Sequence, residues 1–183
     1  MIETGQTLVN PVTGEALTFL QTSNDTGGEL VEIECVVQPG GFVAAAHVHP
    51  AQQEQFHVIE GELALRAGRE KMVLRAGEEA TVAAGTPHRF ENASDGLLRF
   101  RCEIRPALQF ESLIESMFAL ARDGKTNRKG MPNPVRMASI ARAHRDVIRL
   151  AGVPAWMQDL GTAMALPLAR LVGYGPTYSP APA

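Results

Sequence analysis

Three residues with metal-binding side chains, His47, His49 and Glu54, lie close together in the stretch GFVAAAHVHPAQQEQFHVIEG, residues 41–61. Successive side chains of a β-strand point to opposite faces of the sheet, so His47 and His49 present both imidazoles on one face. Residues 50–53 are predicted to form a turn, which brings the carboxylate of Glu54 back toward the two imidazoles. The spacing therefore predicts a metal site between adjacent strands.

A fourth candidate ligand, His88, follows a Gly-Thr-Pro turn and begins another strand-like run. The full set then contains three imidazoles and one carboxylate. These residues resemble the two sequence motifs of the cupin superfamily. The first motif, G-x5-H-x-H-x4-E-x6-G, is matched without a departure by Gly41, His47, His49, Glu54 and Gly61. The second motif, G-x5-P-x-G-x2-H-x3-N, is matched by Gly77, Gly85, His88 and Asn92, with Ala83 in the place of the proline.

The resemblance covers residues 28–105 and implies a mainly β fold, the cupin double-stranded β-helix or jelly-roll barrel. It also implies that one divalent transition metal ion is bound by His47, His49, Glu54 and His88. Imidazole and carboxylate ligands suit Fe, Mn, Ni, Cu and Zn, and the order of affinities alone does not choose among these metals. A fifth histidine, His57, lies on the opposite strand face from Glu54 and is predicted to take no part in the site.

Charge and hydrophobic period both change along the 183-residue chain. Residues 1–121 carry 8 Lys+Arg and 17 Asp+Glu, whereas residues 122–151 carry 8 and 2. Apolar residues alternate in strand-like runs up to Ile104, and after Pro106 they recur at every third or fourth position, which is typical of helices. We therefore predict a cupin β-barrel at residues 1–107 and a C-terminal α-helical extension at residues 108–183, which packs on the barrel or on a partner subunit.

The extension is predicted to contain three helices, in FESLIESMFALARDG with Gly124 just past the helix end, in VRMASIARAHRDVIRLAG and in WMQDLGTAMALPLARLV. The basic segment 122–151 has no interleaved aromatic residues and no nucleic-acid motif, so docking against the acidic barrel of its own or a partner subunit is favoured over nucleic-acid binding. The third helix carries Asp159, Pro167 and Arg170, and packing is favoured over contact with a membrane surface. The Pro- and Gly-rich tail from Gly173 is predicted to be loosely ordered.

The chain shows neither a secretory signal pattern at its start nor an apolar run long enough to span a bilayer. Its two cysteines, Cys35 and Cys102, lie on the apolar faces of strand-like runs, as buried reduced thiols do. We therefore expect a cytoplasmic protein. A small-molecule ligand and no nucleic-acid partner are expected, and the cupin resemblance adds the expectation of a homodimer.

Three neutral imidazoles and one carboxylate leave a divalent metal with net positive charge and, in six-coordinate geometry, with open positions for substrate or dioxygen. The first hypothesis is a small metal-dependent dioxygenase acting on a compact apolar or aromatic substrate inside the barrel. Phe56 and Phe90 each lie two positions beyond a candidate ligand, Glu54 or His88, and so on the same inward face of the strand. They are predicted to line that pocket. The alternation of side chains along the strands identifies no further catalytic acid or base. The alternatives are a non-catalytic sensor that binds metal and ligand, and a non-redox cupin isomerase or cyclase.

Overall fold

The computed structural model describes residues 2–43 and 45–179, in which ten strands precede three helices and one further short strand. The first five strands are β1 (Thr7–Asn10), β2 (Glu15–Gln21), β3 (Val31–Val37), β4 (His47–Val48) and β5 (Gln53–Glu60). The next five are β6 (Glu62–Ala67), β7 (Glu70–Arg75), β8 (Glu79–Val82), β9 (His88–Asn92) and β10 (Leu98–Arg105). The remaining elements are α1 (Phe110–Arg122), α2 (Pro134–Ala143), β11 (Arg149–Leu150) and α3 (Ala155–Leu171).

The strands pair antiparallel in two sheets. One sheet has six strands in the order β1-β2-β3-β10-β5-β8, and the other has five in the order β11-β4-β9-β6-β7. Neighbours that are distant in sequence, such as β3 and β10, are typical of a jelly roll. Over residues 2–43 and 45–179, the pairing keeps two separate sheets and does not join them into one closed barrel. The mainly β jelly-roll fold with a C-terminal helical part is thus confirmed.

Strict alternation of side chains builds the core between the two sheets. In β3, Val31, Ile33, Cys35 and Val37 are buried, while the residues between them are half-buried. Ion pairs lie on the other face, with Arg99 Nε 2.8 Å from Glu34 Oε1 and Arg101 4.0 Å from Glu32. Exposed pairs of this kind contribute less than about 1 kcal/mol each, so they support strand register more than stability.

Two motif glycines are required where the backbone approaches other atoms closely. A Cβ atom on Gly61, which has φ 81°, would lie 2.5 Å from the carbonyl oxygen of Leu97. A Cβ atom on Gly41 would lie 2.5 Å from a methyl carbon of Val37. Contacts this short exclude any side chain without movement of the backbone. These glycines of the first motif are therefore structural.

The asparagine that ends the second motif also has a structural role. The Nδ2 group of Asn92 donates to the carbonyl oxygens of Val37, Gln38 and Gly96 at 3.0, 3.1 and 2.8 Å. Its Oδ1 atom accepts from the backbone and hydroxyl of Ser94. Because Asn92 is buried, these bonds satisfy its amide fully and join β9 to the end of β3.

The first predicted helix is confirmed as α1, and it completes the core. Phe110, Leu113, Phe118 and Leu120 are buried in the same apolar cluster as the strands. Gly124 follows the helix with φ 66°, as the sequence indicates for a C-terminal cap. None of the helices in the described residues is both long and apolar enough to cross a membrane.

The second helix is shorter than predicted, because α2 ends at Ala143 rather than near Ala151. His144 ends the helix, where its backbone N–H and its Nδ1 both bond to the carbonyl of Ile140. The chain then turns, and β11 adds to the edge of β4 through pairing of Arg149 with Val48 and of Leu150 with His47. Residues 149 and 150 thus form hydrogen bonds with the edge of β4 and not with a further turn of α2. The hydrophobic period of the sequence does not predict which of these two pairings forms.

The basic segment finds its ion-pair partners within the helical part. Arg142 and Arg149 both approach Asp159 of α3, at 3.8 and 3.2 Å. Within the described residues of this one chain, no ion pair joins this segment to an acidic strand residue, so ion pairs with its own barrel do not position it. Docking on the barrel of a partner subunit stays a prediction. The start of the predicted loose tail is held in place, since Tyr174 stacks under the guanidinium of Arg136 at 3.8 Å. Residues 180–183 lie outside the described part of the tail.

Candidate metal centre

Four buried side chains converge between the two sheets. His47 lies in β4, His49 directly after it, Glu54 in β5 and His88 in β9. Their exposed fractions are 7, 3, 7 and 3%. The pairing of β4 with β9 sets His47 directly opposite His88, and one ligand atom from each of the four residues lies within 4.8 Å of the others. These four residues, the metal cluster, could hold a metal ion.

Each imidazole of the metal cluster is fixed through its Nδ1 atom. His47 Nδ1 lies 2.8 Å from the carbonyl oxygen of Ala45, and His88 Nδ1 lies 3.0 Å from that of Thr86. His49 Nδ1 lies 2.6 Å from the carbonyl oxygen of Val147, between α2 and β11. An imidazole that donates through Nδ1 keeps an Nε2 lone pair for a cation, and such bonds orient metal-binding histidines.

The carboxylate of Glu54 supplies a test of whether the cluster fits a cation. Its Oε2 lies 2.6 Å from His88 Nε2, and its Oε1 lies 3.5 Å from His49 Nε2. Oε2 is buried without a well-formed hydrogen bond to any described residue. Lone pairs of a carboxylate and a neutral imidazole repel each other at this distance unless a proton or a metal cation lies between them. The donor set therefore fits a metal ion.

Burial and mutual charge shape the protonation of the cluster. Burial and the neighbouring imidazoles lower the pKa of His47 to about 4. Burial alone would raise the pKa of Glu54, but the three histidines outweigh it and lower that pKa to about 2. Burial lowers the pKa of His88, whereas the nearby negative carboxylate of Glu54 raises it, and the net shift is upward. A buried negative carboxylate among imidazoles favours a positive ion.

Gln52 supports the cluster and was not identified from the sequence. Its side chain is 1% exposed, and its Oε1 lies 3.2 Å from His49 Nδ1. Its Nε2 donates to the carbonyl oxygens of Pro106 and Ala107 at 2.8 and 3.0 Å, where the strands give way to the helices. The sequence offered one indication. Gln52 lies two positions before Glu54, and alternation of side chains along a strand places both on the inward face.

The metal cluster opens into a cavity of about 520 Å³. Its walls are mostly apolar and include Phe56, Phe90 and Phe100, whose ring centroids lie 5.3 to 6.1 Å apart. Side chains of all three helices also line the cavity, among them Phe110, Ala138 and Ala165. His57 lies on the other face of β5 with about half of its side chain exposed. The arrangement combines a cation-binding group with space for a mainly apolar small molecule.

Comparison with known proteins finds similarity over part of the chain. A family model described as Cupin domain matches residues 33–103. Quercetin 2,3-dioxygenase of Bacillus subtilis (strain 168) is 30% identical over 81 residues, which are 44% of this chain and 24% of that protein. The chain thus spans about a quarter of the length of this relative.

Two solved structures share the fold. An RmlC-like cupin from Shewanella frigidimarina NCIMB 400 has a TM-score of 0.51 at 18% identity, over 58% of this chain and 88% of that one. A predicted oxalate decarboxylase from Thermotoga maritima has a TM-score of 0.50 at 17% identity, over 58% of this chain and 98% of that one. At these identities the likeness concerns the fold alone.

Proposed function

From the premise that the chain belongs to the cupin superfamily, with its cupin domain at residues 33–103, we propose that it is a small metal-dependent, dioxygenase-like enzyme. Its substrate is a compact apolar or aromatic molecule bound between the sheets. The observation that carries this proposal is the opening of a buried His3Glu cluster into an apolar cavity. The local similarity to a quercetin dioxygenase supports the reaction class.

In this proposal His47, His49, Glu54 and His88 hold one divalent transition metal ion. A bound redox-active metal would supply the activation of dioxygen or the polarisation of a substrate oxygen. The protein holds the three imidazoles in the tautomer that presents Nε2, through the carbonyls of Ala45, Thr86 and Val147. The negative charge of Glu54 partly neutralises the ion and strengthens its binding in the buried site.

The cavity wall supplies substrate binding and exclusion of water. Phe56 is buried and Phe90 half-buried, and their rings meet edge to face with centroids 6.1 Å apart. A flat aromatic substrate can pack on these faces, where aromatic pairs contribute about 0.5 to 1.5 kcal/mol beyond the area they bury. Apolar helix side chains that line the cavity, such as Phe110 and Leu113, reduce access of water to the metal cluster.

The test begins with protein purified without a chelator or a metal-affinity tag. Elemental analysis is expected to find about one transition metal ion per chain. The protein is then reconstituted separately with Fe, Mn, Ni, Cu and Zn, and oxygen consumption is recorded with quercetin and a panel of smaller aromatic substrates. We expect at least one redox-active metal to give oxygen uptake that matches substrate loss, and zinc to give none.

The control is Glu54→Gln, which keeps the shape of the side chain and removes its charge. It should reduce metal retention and oxygen uptake together. Tight binding of a ligand by the loaded protein without any turnover would contradict the enzyme and favour the sensor. Conversion of a substrate without oxygen uptake would favour an isomerase or cyclase.

The assembly proposed with this function is a homodimer formed through α3. Trp156, Met164 and Leu171 on its outer surface are 67, 74 and 83% exposed, and they recur at near-helical spacing. The helix carries a single basic residue, Arg170, so it lacks the cationic rim of helices that bind anionic membranes. A second copy of this face would cover the exposed apolar surface.

We expect light scattering after gel filtration to show a dimer for the wild type and a monomer for the double variant Met164→Lys, Leu171→Lys. The matched control is Val9→Lys, an exposed apolar position on β1, which should leave the dimer intact. A wild-type monomer, or a double variant that stays dimeric, would exclude this interface.

A cytoplasmic location also remains part of the proposal, supported by the free, buried thiols of Cys35 and Cys102.

A further inference from the structure

The cavity has a polar end that the metal cluster does not use. Asn10 of β1 and Glu15 of β2 are directly opposite each other in the strand pair, and both line the cavity. They are only 3 and 7% exposed. A carboxyl and an amide in an otherwise apolar wall cost desolvation free energy, so their hydrogen bonds need an account.

The hydrogen bonds of Asn10 and Glu15 leave one polar group of each side chain free to face a ligand. Asn10 Oδ1 accepts from the backbone N–H groups of Val12 and Thr13 at 3.0 and 3.2 Å, which identifies the oxygen and leaves Nδ2 as a donor. Glu15 Oε2 accepts from the hydroxyl of Thr13 at 2.7 Å. Among the described residues, none bonds to Asn10 Nδ2 or to Glu15 Oε1. The two atoms therefore have unmet hydrogen-bonding capacity.

Burial decides which group Glu15 presents. Desolvation raises the pKa of Glu15 to about 7, although the hydrogen bond from Thr13 opposes the shift. The titratable group that faces Glu15 from β3 is Cys35. Burial raises the pKa of the Cys35 thiol well above its usual value. The metal cluster lies at the other end of the cavity. Below about pH 7 the carboxyl is thus neutral, and with Oε2 accepting from Thr13 its proton occupies Oε1. Nδ2 and Oε1 then form a pair of donors.

The strand register places this pair far from the metal cluster. Glu15, Cys35, Cys102 and Glu54 occupy successive diagonal positions on β2, β3, β10 and β5. Each diagonal step in a sheet is about 7 to 8 Å, so the two carboxyl-bearing residues are separated by up to about 24 Å along the sheet, less where the sheet curves. The wall between them consists of thiols, Leu17, Ile33 and aromatic rings.

We infer that Asn10 and Glu15 form a second binding point, which holds the carbonyl oxygen of an elongated, mainly apolar ligand through two donated hydrogen bonds. The other end of that ligand reaches the metal cluster. A cavity of about 520 Å³ accommodates one molecule of this kind. That the ligand reaches the metal cluster rests on the proposed function. That Asn10 and Glu15 bind a carbonyl oxygen does not depend on the metal.

The test uses the full-length protein after removal of metal, so that its outcome is separate from that of the metal experiments. The probes are benzylacetone, a ketone on an apolar body, and its isostere in which a methylene group replaces the carbonyl oxygen. Affinities are measured by ligand-observed NMR at about pH 5.5 and about pH 8.5, on either side of the Glu15 transition. At the lower pH we expect the ketone to bind about tenfold more tightly than the alkene. At the higher pH this preference should largely disappear, because an ionised Glu15 cannot donate.

Two variants assign the effect to Glu15. Glu15→Leu keeps only the Asn10 donor, so it should lose most of the preference for the ketone and bind each probe with the same affinity at both pH values. Glu15→Gln can accept from Thr13 and still donate into the cavity, so it should keep the preference for the ketone and lose its dependence on pH. Circular dichroism and the melting temperature show whether each variant is folded. If Glu15→Leu does not fold, the pH-independent preference of Glu15→Gln still decides the question.

Equal affinities of wild-type protein for ketone and alkene at the lower pH would overturn the inference. So would tighter binding of the corresponding primary amine than of the ketone, since it would show a cation site at an ionised Glu15. Either result would leave the metal cluster and the proposed reaction untouched. Conversely, a protein that binds no metal but prefers the ketone would retain the second binding point and lose the proposed function.

Discussion

His49→Ala is expected to lose most of its bound metal and all metal-dependent activity. The substitution removes one of three imidazoles in a cluster that is buried and already holds a carboxylate, Glu54, without a suitable hydrogen-bond partner. Outer groups that only orient metal ligands change affinity by about 10- to 100-fold, so loss of a ligand should cost more than about 100-fold. Metal content after identical reconstitution, followed by dialysis against a weak chelator, measures the effect.

The matched control is His57→Ala. This histidine is three residues beyond Glu54 on the outward face of the same strand, and its side chain is about half exposed. Its replacement should leave metal content within the error of the measurement. Equal metal content in wild type and His49→Ala would refute the shared site.

Removal of residues 108–183 is expected to abolish stable folding of the remaining chain. We propose a division between barrel and helical extension at residue 107, but α1 contributes Phe110, Leu113, Phe118 and Leu120 to the same core as the strands. Each such buried side chain contributes roughly 1.5 to 3 kcal/mol through burial, and domain stability is only about 5 to 15 kcal/mol. The truncated chain should aggregate or show no cooperative thermal transition by circular dichroism.

A less drastic pair of variants separates packing from chain length. Phe118→Ala, at a side chain that is 5% exposed, should lower the free energy of unfolding by about 3 to 5 kcal/mol. Val9→Thr, at an exposed position on β1, should change it by less than about 0.5 kcal/mol. A truncated protein as soluble and as thermally stable as the full chain would show that the extension is dispensable for the barrel.

Much of the strand region and the metal cluster could be predicted because both follow from local rules. Alternation along a strand fixes which side chains share a face, so His47, His49 and Glu54 could be grouped from their spacing. The first helix after Pro106 was likewise indicated by the change of hydrophobic period. In each case the determining pattern is contained in a few consecutive residues.

The features that escaped prediction depend on contacts between distant segments. The end of α2 at Ala143 follows from an available sheet edge at β4, about a hundred residues earlier in the chain. The arginines of the basic segment pair with Asp159, although the barrel carries far more acidic residues. Glu15 lies on the inward face of β2 where an apolar residue would be expected, and only the completed cavity shows what that carboxyl faces.

The hydrogen bond from His49 to the carbonyl of Val147 makes the metal site and the segment between α2 and β11 thermodynamically linked. If fixing that segment improves the affinity for metal, bound metal must stabilise the segment by the same free energy. Addition of metal should therefore slow amide hydrogen exchange in residues 144–150, which contribute no side chain to the cluster. Hydrogen exchange in the connection between α2 and β11 should then report whether the buried site is occupied.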